Sequence, residues 1–180
     1  VGSVISNATV AKSDDVNVDY TETIHRTYNP NSGEHFYTAA EEEYDFLVKH
    51  GWHDEGIGWY TPDFSYYPVY RLYNAYDGEH HYTINDEERD ALVSVGWIYE
   101  GYSFYSAQTG DKVEVWRQYN PNAFANNHNY TINPEEKQHL VSLGWDDEGL
   151  GFYAYAKPLE SCTVTFDSQG GSEVPYQTVV

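Results

Sequence analysis

Along Pro68–Asn74, PVYRLYN, side chains alternate in the strand period, with Val69, Arg71 and Tyr73 on one face and Tyr70, Leu72 and Asn74 on the other. Across the turn residues AYDG, the stretch EHHYT at Glu79–Thr83 reads as the hairpin partner. The pattern then changes to a helix. Asn85 is its predicted N-cap, Glu88 stands at N3, and Gly96 ends it. The segment WIYEGYSFY that follows contains Gly101 where a strand has to bend or turn, and so reads as two short strands. That predicts four short strands and one helix.

The same sentence is spelled three times. R-x-Y-N opens at Arg26, Arg71 and Arg117, at spacings of 45 and 46 residues, and H-x-Y-T opens at His35, His80 and His128. G-W-x-x-E-G follows from Gly51, Gly96 and Gly144, and Tyr60, Tyr105 and Tyr153 close the copies. An insertion around Phe124–Asn127 accounts for the longer third copy. The third helix has Asn133 as cap, Pro134 at N1 and Glu136 at N3, whereas the first has Ala40 at the cap position, so Thr38 with Glu41 is the capping pair expected there. Units of about 21–65, 66–111 and 112–158 form one repeat domain, because none is large enough to bury its own apolar face. Residues 1–20 read as a linker or leading strand, and 159–180 as the truncated start of a following β module. The expected fold is mainly β with short helices, a pseudo-threefold repeat that is β-trefoil-like with one helix per unit. The alternative is an α+β array of three β-β-α-β units, and periodicity does not separate the two.

Composition narrows the partners. The net charge of -20, from 29 acidic and 9 basic residues, excludes the positive footprint that nucleic acid or an anionic membrane surface requires. No apolar run approaches the 18 residues of a spanning helix, so no membrane insertion is expected, and no secretory leader stands at Val1. Cys162 is the only cysteine, so no intrachain disulfide forms. With 19 Tyr, 7 Phe and 5 Trp but no Met, core and surface alike must be built from rings.

The repeated polar residues are the candidate site. Arg26, Arg71 and Arg117 either pair with Glu55, Glu100 and Glu148, pinning hairpin to post-helix strand, or contact a ligand. His35, His80 and His128 share a strand face with Tyr37, Tyr82 and Tyr130. The three imidazoles would bind a metal only by converging on the threefold axis, and no H-x-H or H-x-x-x-H pairing supports this. With Asn29, Asn74 and Asn120 these make up the candidate ligand-binding set. The tryptophans after each helix are expected in the core. Phe36, His81 and Asn129, with His25, Tyr70 and Trp116, differ between copies and are better placed for individual specificity. Glu41–Glu43 and Asp146–Glu148 read as solvated faces. No EF-hand loop, G-x-S-x-G or phosphate loop is present, and no cofactor, metal or catalytic residue is expected.

From about Ile24 to Tyr155 the chain resembles a family of secreted repeat domains of unknown function found in bacteria and fungi, whose units read roughly Y-R-x-Y-N, D/E-H-F-Y-T, a short helix, then G-W/Y-x-x-E-G-I. NAFANNHN in the third unit departs from that pattern. The tail TVTFDSQGGSEVPYQTV is similar to the start of the Listeria and Bacteroides surface repeat of internalin type. The resemblance implies an accessory role outside the cell, secreted or wall-attached. The leading expectation is a non-catalytic, lectin-like carbohydrate-binding module of a bacterial surface protein. It would be monomeric in isolation and would hold mucin-type host glycans or cell-wall polysaccharide multivalently. A protein-interaction or spacer module of a surface adhesin is the alternative, and an enzyme ranks behind both.

Overall fold

Each copy folds into the same run of strand, strand, helix and strand. In the computed structural model, residues 9–11, 21–123, 128–159, 162–165 and 177–179 are described. A leading strand β1 (Thr9–Ala11) precedes the repeats. The first copy comprises β2 (Thr21–Tyr28), β3 (His35–Thr38), α1 (Glu41–Lys49) and β4 (His53–Pro62). In the second are β5 (Pro68–Asn74), β6 (Glu79–Thr83), α2 (Asp86–Ser94) and β7 (Ile98–Tyr105). The third has β8 (Lys112–Tyr119), β9 (His128–Thr131), α3 (Pro134–Ser142) and β10 (Asp146–Tyr155), and β11 (Cys162–Thr165) and β12 (Gln177–Val179) follow. The repeat domain, Thr21–Pro158, is one compact unit. The flanks form another, in which β1 pairs antiparallel with β11 and β11 with β12. The insertion at 124–127 lies outside the described residues.

The fold is mainly β with three short helices. The repeat domain has two antiparallel sheets, one of six strands in the order β3-β2-β4-β10-β8-β9 and one of three, β6-β5-β7. Neither closes into a barrel. The segment after each helix is a single strand rather than the expected two, giving three strands per copy in β-β-α-β order. What looked like a break at Gly101 is a pair of register shifts in a continuous strand: opposite β5, Arg71 meets Gly101 but Leu72 meets Tyr99, so Glu100 is left as a bulge residue. In the third copy Glu148 is skipped in the same way, and in the first the register steps from Asp54 to Ile57 across Glu55 and Gly56. Gly56, Gly101 and Gly149 hold φ of 81°, 102° and 80°, which only glycine adopts freely. Opposite β6, β5 runs without a register shift, and Val69 and Leu72, three apart, are both buried, of which Val69 alone joins the central cluster.

The core is built in layers of three. Tyr37, Tyr82 and Tyr130 meet edge to face with centroids 5.5–5.6 Å apart. Trp59, Phe104 and Phe152 form a second triangle at 5.5–6.0 Å, each stacked on the tyrosine of its own copy. Ile24, Val69 and Val115 form a third layer, and Ala154 completes the cluster. Trp52, Trp97 and Trp145, expected in the core, are only half buried. They stand at the ends of the helices, where each indole-bearing residue donates its backbone N–H to the carbonyl of Leu47, Leu92 or Leu140, closing a Schellman motif around Gly51, Gly96 or Gly144.

Candidate functional site

The units are joined by a cycle of buried hydrogen bonds that starts from the Tyr of H-x-Y-T. The Tyr37 hydroxyl donates to the Tyr130 carbonyl at 2.9 Å and accepts from the Tyr130 backbone N–H at 3.0 Å. Tyr130 does the same to Tyr82, and Tyr82 to Tyr37, so each phenol satisfies one N–H and one C=O of its neighbour. Each of the three tyrosines is 1% exposed. Of the expected ligand set these three are therefore withdrawn into the core, where burial pushes the Tyr37 phenol up to about 12.

Around this axis the arginines bridge neighbouring copies. Arg26 gives a two-pronged contact to Glu136, at 2.7 and 3.0 Å, on the third helix. Arg71 reaches Glu43 at 2.9 Å on the first helix, and Arg117 reaches Glu88 at 2.9 and 3.0 Å on the second. On its other side each guanidinium holds the bulge glutamate of its own copy: Arg26 Nε lies 2.8 Å from Glu55, Arg71 Nε 2.8 Å from Glu100 and Arg117 Nε 2.7 Å from Glu148. For Arg71 this is a well-aimed hydrogen bond, whereas for Arg26 and Arg117 the N–H points off the oxygen and the contact is one of charge. Burial opposes the charge of Arg26, but Tyr37, Glu136 and Glu55 outweigh it and hold the guanidinium above its ordinary value. Burial likewise works to raise Glu136, and the Arg26 hydrogen bond reverses this and lowers it.

The residue that differs between copies sits beneath each arginine. Phe36 lies under Arg71 with the guanidinium carbon 5.1 Å from the ring centroid, His81 accepts from Arg117 at 3.2 Å, and Asn129 accepts from Arg26 at 3.3 Å. Trp52 and Trp97 pack edge-on against Phe36 and His81. These positions are buried, so the specificity expected of them has no exposed surface to act through. His25, Tyr70 and Trp116 are each covered by a helix residue, in turn Tyr44, Arg89 and Lys137. Asn29, Asn74 and Asn120 bond the backbone N–H two residues ahead, of Asn31, Tyr76 and Asn122, and so shape the hairpin turns.

The histidines of H-x-Y-T, one per copy, each face a glutamate, and among the described residues no metal-ligating cluster forms. His80 meets Glu34 at 2.6 Å, and His128 meets Glu79. His35 stands 3.5 Å from Glu55, and burial, then Arg26, hold its pKa down to about 4.

An open cleft of about 550 Å³ lies where the first copy meets the third, lined by Arg26, Glu55 and Ile57 on one side and by Ile132, Asn133 and Glu136 on the other. Ile57 is 52% exposed, and the residues at its repeat position, Tyr102 and Leu150, are 60% and 45% exposed. The sequence reading had missed these three, whose signal was an apolar residue two positions after the bulge glutamate in every copy. It had also placed Glu43 on a solvated face, whereas Glu43 is held by Arg71 and by the Thr38 hydroxyl at 2.6 Å.

The chain belongs to the family described as Domain of unknown function (DUF5648), whose model matches residues 23–155. No curated protein matches the chain, and no solved structure does.

Proposed function

We propose that the repeat domain is a non-catalytic, lectin-like carbohydrate-binding module with one shallow site at each seam between copies. The observation that supports this most is the open cleft at Arg26, Glu55 and Glu136 beside exposed Ile57, with the same residue types recurring at the other two seams. A guanidinium flanked by two carboxylates offers donors and acceptors at the spacing of neighbouring sugar hydroxyls, while Ile57, Tyr102 or Leu150 gives the apolar C–H face something to lie on. The charge of -20 favours neutral or cationic glycans over sulfated or carboxylated ones. We read the three-copy closure as trefoil-like, with a helix inserted between the second and third strands. The likeness of the tail to an internalin-type surface repeat favours a secreted or wall-attached setting, with mucin-type or cell-wall polysaccharide as partner.

A second reading is favoured by the arginines themselves: each is already paired with two carboxylates, so the seams also serve as glue for a spacer or adhesin module. A glycan array on the intact chain separates the two. Specific hits weakened by Ile57→Ser, with an unchanged melting temperature, support the module. Absence of any hit across neutral and basic glycans leaves the spacer.

A further inference from the structure

A second surface, which shares only Tyr102 with the seams, has a different chemistry. Phe64 and Tyr66 stand between β4 and β5, and Tyr102 and Tyr105 lie on β7. Their rings run in series, with Tyr66 5.5 Å from Phe64, Phe64 5.3 Å from Tyr105 and Tyr105 5.1 Å from Tyr102. Phe64, Tyr66 and Tyr102 are 59%, 82% and 60% exposed, so the run presents a continuous aromatic patch to water, which is where ligands and partners dock. Successive rings are tilted by 76°, 60° and 36°, giving a stepped surface several rings long.

Two carboxylates border it. Asp63 directly precedes Phe64, and Glu22 stands opposite Thr61 in the β2–β4 ladder, so the two carboxylates meet at this end of β4; the pKa of Glu22 is raised, by partial burial and then by Asp63. Among the described residues no Lys, Arg or His pairs with Glu22 or Asp63, although elsewhere each of the four arginines is shared between two acids. Two like charges left close together beside exposed ring faces favour a cation, through direct charge and through the rings' negative faces.

We propose that this surface binds an amino-sugar polymer, whose ammonium groups meet Glu22 and Asp63 while its sugar rings lie on Tyr66, Phe64 and Tyr102. The inference rests on the carbohydrate reading above and adds the ligand's charge. A single small cation would use one ring, whereas a run of four suits a ligand that repeats along its length.

The test is calorimetric titration of the whole chain with a glucosamine hexamer, its N-acetylated counterpart and oligolysine, at a pH just below neutrality. The glucosamine hexamer should bind, and the acetylated hexamer about tenfold more weakly or not at all. Tyr66→Ala, and separately Glu22→Gln with Asp63→Asn, should each weaken binding by about tenfold with the melting temperature kept, because all three side chains are on the surface. Equal binding of the acetylated hexamer overturns the role of charge, and oligolysine bound as tightly overturns the role of sugar. No binding of the glucosamine hexamer overturns the proposal outright. Tyr66 lines none of the seams and Ile57 none of this patch, so a loss confined to Tyr66→Ala or to Ile57→Ser shows which of the two surfaces holds glycan.

Discussion

At the scale of the residue, the phenol cycle makes the sharpest demand. Tyr82→Phe removes a hydroxyl that both accepts from the Tyr37 N–H and donates to its carbonyl, stranding two buried backbone groups. At about 1–3 kcal/mol for each group left unpaired, the variant should lose about 2–6 kcal/mol in urea unfolding. Tyr66→Phe, on an exposed ring, should stay within about 0.5 kcal/mol and serves as the control. His35 makes a demand on pH. Its folded pKa is lowered from 6.5 to about 4, so unfolding takes up about one proton between those values. The stability it contributes is whole above 6.5 and falls as pH drops towards 4, and His35→Gln should flatten that stretch of the urea midpoint against pH. An unchanged slope would remove His35 as its source. The lowered carboxylates Glu43 and Glu136 add a further loss below the ordinary carboxylate range, as their ion pairs are neutralised. The Arg–Glu55 type of pair was legible in the sequence because both partners recur within one copy. The second partner, on the helix of the neighbouring copy, was not, because nothing within a copy says which neighbour its arginine faces.

At the scale of the element, the helices show what a cap is worth. Asn85 and Asn133 accept from two backbone N–H groups each, whereas Ala40 occupies the same backbone conformation, φ -82° and ψ 107°, with no side chain to accept. Ala40→Asn should therefore stabilise the domain by about 0.5–1 kcal/mol, read as a raised denaturation midpoint. No gain would mean that water serves the Glu42 and Glu43 N–H groups as well as a side chain would, since the Thr38 hydroxyl takes only the Ala40 N–H, as Thr83 and Thr131 do beside their Asn caps. Both ends of the second and third helices were readable, since Asn and Gly act locally, whereas in the first the expected Thr38–Glu41 capping pair does not form and the Thr38 hydroxyl holds Glu43 instead. The strand after each helix was misread because Gly101 signals a bulge and a break equally well, and only the partner strand decides. The same bulges carry the glutamates that hold the arginines, so the irregular part of the strand is the part that builds the seam.

At the scale of the molecule, the repeat count was plain in the sequence, while the closure was not: periodicity names three copies but not that each phenol would reach into the next. A cycle of three has no independent part, so a fragment of the first two copies, 21–111, should lack a cooperative unfolding transition where 21–158 has one. Under the carbohydrate reading proposed above, the same repetition would set the mode of binding. If each seam takes one sugar in a shallow cleft, single-site affinities should be on the order of millimolar, about 4 kcal/mol, and a surface dense in the same sugar should be held far more tightly, because the second and third contacts become intramolecular. Soluble monosaccharide should then titrate with a stoichiometry of two or three. Ile57→Ser and Leu150→Ser, both at exposed positions, should each lower that number by one while leaving the melt unchanged. Binding to clustered glycan should fall much more steeply than the site count as seams are removed. A single tight site, indifferent to Ile57 and Leu150, would mean that repetition served only to build the scaffold.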